Sequence, residues 1–131
     1  MATLTHITDK KVAGNSLPGK VITVSEVIDF SAKGAGSGDV IQALNVKSGQ
    51  TVLRAGLNVN TVEGSTATAK LGDGADDDRF GTGINLNAAT TQSQSTASYK
   101  YAADDTIDIV AGAALGNAKV TVWAELTTTV S

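Results

Sequence analysis

The reactive side chains of this chain are concentrated in its aspartates. Asp73, Asp76, Asp77 and Asp78 fall within six positions, in the run LGDGADDDRF. Hard cations such as calcium want clustered oxygen ligands on a flexible loop, which makes Asp73, Asp76 and Asp78 the metal candidates. The spacing is not that of an EF-hand, because Ala75 interrupts it and no glutamate follows at the right distance. The competing reading is a solvated turn in which Asp73-Gly74 supplies the geometry. A second acidic group, Asp104, Asp105 and Asp108, would add ligands if the fold brings the two together.

Other chemistries have less to work with. His6 is the only histidine, so a histidine triad or histidine metal site lacks its parts. No cysteine is present, which removes disulfides, thiolate metal sites and thiol nucleophiles. Carboxylate pairs for glycoside cleavage could be drawn from so many aspartates, but no spacing selects one. The glycine run GAGSG at 34–38 does not sit between a strand and a helical pattern, so it is not a phosphate cradle. Tyr99, Tyr101 and Trp123 would suit a sugar-stacking platform or a subunit interface. The expectation is a protein that is not an enzyme, with no cofactor and no small-molecule substrate.

The elements that must position these residues read as strands. Residues 20–30 alternate clearly, with Ile22, Val24, Ile28 and Phe30 on one face and Glu26 interrupting them. Residues 39–46 and 51–62 read as a hairpin turning at Lys47–Gln50, with Leu53, Ala55, Leu57 and Val59 inward. Gly56 inside the second strand marks a bulge or a close backbone approach. Residues 65–71, 83–88, 97–101, 106–110 and 118–128 are further extended runs, and 89–96 (ATTQSQST) reads as a polar loop. In the last strand Trp123 falls on the more polar face. Roughly eight strands without an amphipathic helix predict an all-β, single-domain β-sandwich, jelly-roll-like, over 20–131. Residues 1–19 read as an extended N-terminal arm or an edge strand, with Leu4, His6 and Ile7 as interface candidates beside Tyr99, Tyr101 and Trp123.

With 131 residues the chain is one domain, and its 4% aromatic content leaves the core to Val, Ile, Leu and Ala. A net charge of −3 argues against nucleic-acid binding, which needs a basic footprint. No apolar run reaches membrane-spanning length, and residues 1–11 lack the apolar centre of a secretory signal.

Taken in order, ATAKLGDGADDDRF, GINLNAA and YAADDTIDIVAGAALGNAKVTVWAEL resemble the small head decoration, or cement, proteins of tailed bacteriophages. The matching features are Gly38-Asp39-Val40 before a hairpin, the LGDG turn at 71–74, and ADDTIDI followed by KVTV at 103–109 and 119–122. The resemblance covers roughly residues 38–126, about two thirds of the chain. It implies a β-sandwich on the outer capsid surface of the virion, made in the bacterial host cytoplasm. It implies major capsid protein as partner, a homotrimer, and stabilisation of the head by bridging capsid subunits. The alternatives are a tail- or fibre-associated β-module of a virion and a carbohydrate-binding module.

Overall fold

The computed structural model describes residues 3–5, 20–88 and 92–127. The described strands are β1 (Thr3–Thr5), β2 (Val21–Asp29), β3 (Val40–Val46), β4 (Thr51–Thr61), β5 (Thr68–Gly72), β6 (Gly81–Asn85), β7 (Gln92–Ser95), β8 (Tyr99–Lys100), β9 (Asp105–Ala111) and β10 (Lys119–Thr127). They form two sheets. Sheet I has the order β1-β3-β9-β5-β6 and sheet II the order β2-β10-β4-β7, with β8 also pairing β4. Every pairing is antiparallel except β1 with β3. The all-β sandwich expected from the sequence is the fold observed, and the strand order is compatible with a jelly roll.

The core lies between the sheets and follows from alternation along each strand. Ile28, Phe30, Leu57, Leu71, Ile107, Ile109, Val120, Val122 and Leu126 are buried in it, and alanines such as Ala55, Ala69 and Ala124 fill the gaps between them. Burying a Leu- or Ile-sized side chain contributes about 1.5–3 kcal/mol relative to leaving it exposed.

Strict alternation fails where the pleat is interrupted. Leu126 stands opposite Val52 while Glu125 stands opposite Arg54, so Leu53 is an extra residue in β4. This bulge turns Val52 into the core in place of the expected Leu53, and Ala55 resumes the inward side three residues on. A second shift, between Gln42 and Leu44, buries both Ala43 and Leu44. The expected polar loop at 89–96 contains β7, whose Gln92–Ser95 pairs Asn58–Ala55 of β4. Its side chains carry no apolar alternation because backbone pairing at the sheet edge holds it, not burial.

Candidate binding surface

The acidic turn folds on the outward side of sheet I. Leu71 is buried in the core, so its neighbour Gly72 faces out, and a Cβ there would run into the backbone of Asp76 and Asp77. The turn therefore lies directly on the strand that precedes it. Asp73 does not face solvent. Its Oδ2 accepts from Arg79 Nε at 2.5 Å and from Tyr101 Oη at 2.6 Å, and its Oδ1 from the Ala75 and Asp76 N–H groups at 3.0 and 2.8 Å. Burial pushes this carboxyl up, but Arg79, Tyr101 and the two backbone donors outweigh it and hold it below the usual carboxylate range. Arg79 in turn lies over the Tyr99 ring, 3.6 Å from its centroid, and Tyr99 meets Tyr101 edge-on at 4.8 Å. The three residues nominated for calcium thus separate. Asp73 is spent on a buried ion pair, while the carboxylate oxygens of Asp76 and Asp78, with Asp77, lie within 4.8 Å of one another on the surface. There Asp77 also reaches Lys70 Nζ at 3.5 Å.

The fold does bring the two acidic groups together. Gly74 N–H donates to Asp105 Oδ1 at 3.2 Å. Asp108 stands opposite Gly72 on the outward side of β9 and is buried, accepting from Thr106 Oγ1 at 2.5 Å. Burial raises the Asp108 carboxyl to about 6, and the nearby charges of Asp105 and Asp73 add to the rise while Thr106 opposes it.

The opposite end of the sandwich is organised by a residue that falls between the extended runs 51–62 and 65–71. Glu63 is buried, and its carboxylate accepts from the N–H groups of Gly116, Asn117 and Ala118 at 2.9–3.2 Å. Burial raises this carboxyl, and the three backbone donors outweigh it, leaving it below its ordinary value. No local pattern marks the role, because the donors lie 53 to 55 residues away along the chain. Arg79, the counter-ion of Asp73, was equally silent, as a lone cation after an acidic run.

The outward side of sheet II differs in kind. Trp123 faces out from β10, as its alternation predicts, and is half-buried. It stands opposite Gly56 of β4 and Ser25 of β2. A Cβ on Gly56 would meet the Ser93 carbonyl and stand 2.5 Å from the Trp123 ring. Gly56 is therefore a close approach, and the bulge is three residues earlier. The indole uses the space that the missing side chain leaves. Beside it Arg54 Nε donates to Glu125 Oε1 at 2.8 Å.

The three aromatic candidates do not form one platform. Tyr101 is buried with its hydroxyl on Asp73, Tyr99 covers Arg79 at the acidic turn, and Trp123 sits apart on sheet II. Leu4 takes the register position opposite Ile41 in the parallel β1–β3 pair. His6 and Ile7 lie outside the described residues.

No family model and no curated protein sequence matches the chain. Its fold does match chains from three phage capsid structures. It is similar to a chain of the cyanophage Pam1 capsid asymmetric unit, with TM-score 0.70 and 14% identity over 92% of this chain and 93% of that one. It is also similar to a chain of the acidic stable capsid of Helicobacter pylori bacteriophage KHP30, with TM-score 0.64 and 16% identity over 85% and 90%. A chain of the Ralstonia phage GP4 capsid gives TM-score 0.61 and 15% identity over 93% of each. At these identities the likeness is one of fold, and it spans nearly the whole of each chain.

Proposed function

We propose that this chain is a phage virion structural protein that binds the outer surface of the capsid and stabilises the head by bridging capsid subunits. The observation that carries the reading is the fold match to capsid-structure chains over 92–93% of both partners in the Pam1 case. The order of sequence motifs that resembles the decoration proteins is a separate support. The described side chains fit a binding role: the buried carboxylates Asp73 and Glu63 are each engaged by internal donors, and neither addresses a reactive cleft. A protein that binds the assembled shell and not its separated subunits stabilises the shell by mass action, and many weak copies add up. On the shell the copies group in threes, as the resemblance implies, and residues 1–19 extend the contact to a neighbour or to the capsid.

Immunogold labelling of particles from the source lysate, with an antibody to this chain, tests the reading. Gold spread over the heads is the expected result. Gold on tails alone points to a tail-associated module instead, and unlabelled particles reject the virion role. A chain lacking residues 1–15 is expected to bind heads more weakly than the full chain in a co-sedimentation assay, and equal binding removes the N-terminal segment from the contact.

A further inference from the structure

On the outward side of β9, Asp108 is buried while its neighbours there, Thr106 and Val110, are only half-buried. The acidic turn accounts for the difference. Gly72 is the cross-strand partner of Asp108, and the Asp76–Asp77 backbone lies so close over Gly72 that a Cβ there would stand 2.2–2.6 Å from it. The turn therefore roofs the part of the sheet where Asp108 sits. Gly74, in the same turn, donates to Asp105, and Asp73 holds the turn shut through the Ala75 and Asp76 N–H groups. Asp73, Asp105 and Asp108 thus gather under or beside one turn. The cations nearby are each paired with another carboxylate: Arg79 with Asp73, Lys70 with Asp77 and Lys47 with Asp104. Tyr101 gives its hydroxyl to Asp73, and β3 places the uncharged Gln42 opposite Asp108. Asp108 itself accepts from the Thr106 hydroxyl. A buried carboxyl with a hydroxyl donor and two carboxylate neighbours is a poor place for a negative charge.

We propose that the acidic turn and Asp108 form a proton-operated latch, in which the turn closes over Asp108 most tightly when that carboxyl carries a proton and loosens when it ionises. Opening the turn returns Asp108 to water, where a carboxyl ionises at its ordinary value of 3.8. With the turn closed the carboxyl is raised to about 6, by burial first and by the charges of Asp105 and Asp73, against the pull of Thr106. The closed turn thus binds the proton more tightly than the open one. Acid therefore favours closure, and closure weakens as pH rises through about 6 and levels off above it. Asp73 does not oppose this in the same window, because its carboxyl is held below 3.8 and stays ionised. Tyr101, raised by burial and by Asp73, stays a neutral donor throughout. Asp78, on the exposed rim of the turn, is also raised, by its hydrogen bond to Asp76 and by the charges of Asp76 and Asp77. Its titration is separate from that of Asp108 and survives a substitution there. The latch belongs to the single chain and holds whether or not the chain binds a capsid.

Hydrogen exchange of the full chain, read amide by amide by NMR from about pH 4.5 to about pH 7.5 and corrected for intrinsic rates, tests it. The reporters are the Asp73, Ala75 and Asp76 amides, which the closed turn holds. They are expected to exchange by local opening, at lower protection than the amides of β10. Their protection is expected to fall on the order of tenfold from the lower pH to the higher. Asp108→Asn, which keeps an acceptor for Thr106 and cannot titrate, is expected to remove most of that fall. In the unaltered chain the carbon-13 shift of the Asp108 carboxyl is expected to titrate near pH 6, which tests the latch without any substitution. Turn amides as protected as those of β10, a fall of the same size in Asp108→Asn, or an Asp108 carboxyl that titrates near 3.8 overturns the proposal.

Discussion

The two sheets share a core but treat their outward sides differently. Sheet I covers one end of its outer face: the acidic turn lies back on Gly72, Asp73 locks it through Arg79 and Tyr101, and Asp108 is buried beside it. Sheet II leaves its outer face open, with Val21, Val27 and Trp123 around a small, uncharged centre. Each kind of residue therefore contributes in a different place. On sheet I polar groups are buried: Asp73, held by its donors, stabilises the domain, whereas Asp108, raised by burial, lowers its stability at neutral pH. On sheet II apolar groups stay exposed, where they add little to folding and are available to another molecule.

Substitutions on each sheet probe this contrast. The largest effect is expected at Asp73. Asp73→Ala leaves Arg79 and Tyr101 without their shared acceptor, and breaking a buried pair in this way costs about 3–5 kcal/mol; urea denaturation reads the loss, and a change under about 1 kcal/mol would show that the turn is not held as described. Next comes Gly72→Ala, which drives a methyl into the Asp76–Asp77 backbone and is expected to cost about 1–3 kcal/mol by overpacking.

Asp108 gives a pH-dependent effect of the opposite sign. Its folded pKa of about 6 lies above the ordinary value of 3.8, so the folded state binds more protons between those limits. Stability from this group therefore falls as pH rises through that window and stays reduced above it. Asp108→Asn keeps an acceptor for Thr106 and removes the buried charge. It is expected to raise stability at pH 7 by on the order of 1–2 kcal/mol and to leave it nearly unchanged near pH 4. Equal effects at both pH values would contradict the assignment. Asp73 and Glu63 act the other way, since both are held below their ordinary values of 3.8 and 4.5. Their contribution is present above those values and is lost as pH falls through the lowered ones. The smallest effect on stability is expected on the open face, where Val27→Glu should change the free energy of unfolding by no more than about 0.5 kcal/mol. A large loss there would mean that the valine belongs to the core after all.

Much of the fold was legible because burial imposes alternation. β2 and β10 bury one side more than the other, and β9 places its isoleucines on the core side, so Ile28, Ile107 and Val122 point inward and Trp123 outward, as their spacing requires. The reading failed where something other than burial decides. A bulge shifts the parity of β4 at Leu53, and no residue type announces it. β7 is held by backbone pairing, so its Gln and Ser side chains resemble a loop. The acidic run was visible as a cluster, and the second acidic group does approach it, at Asp105. That Asp73 alone turns inward depends on Tyr101, 28 residues away, and such a long-range partner leaves no local trace.

The most direct test of the central reading is a cryo-electron microscopy reconstruction of heads from the source virus. The expected result is density on the outer surface of the shell that this two-sheet fold fits, seated where neighbouring capsid subunits meet. Smooth heads without such density, in particles that nonetheless contain the chain, would contradict it.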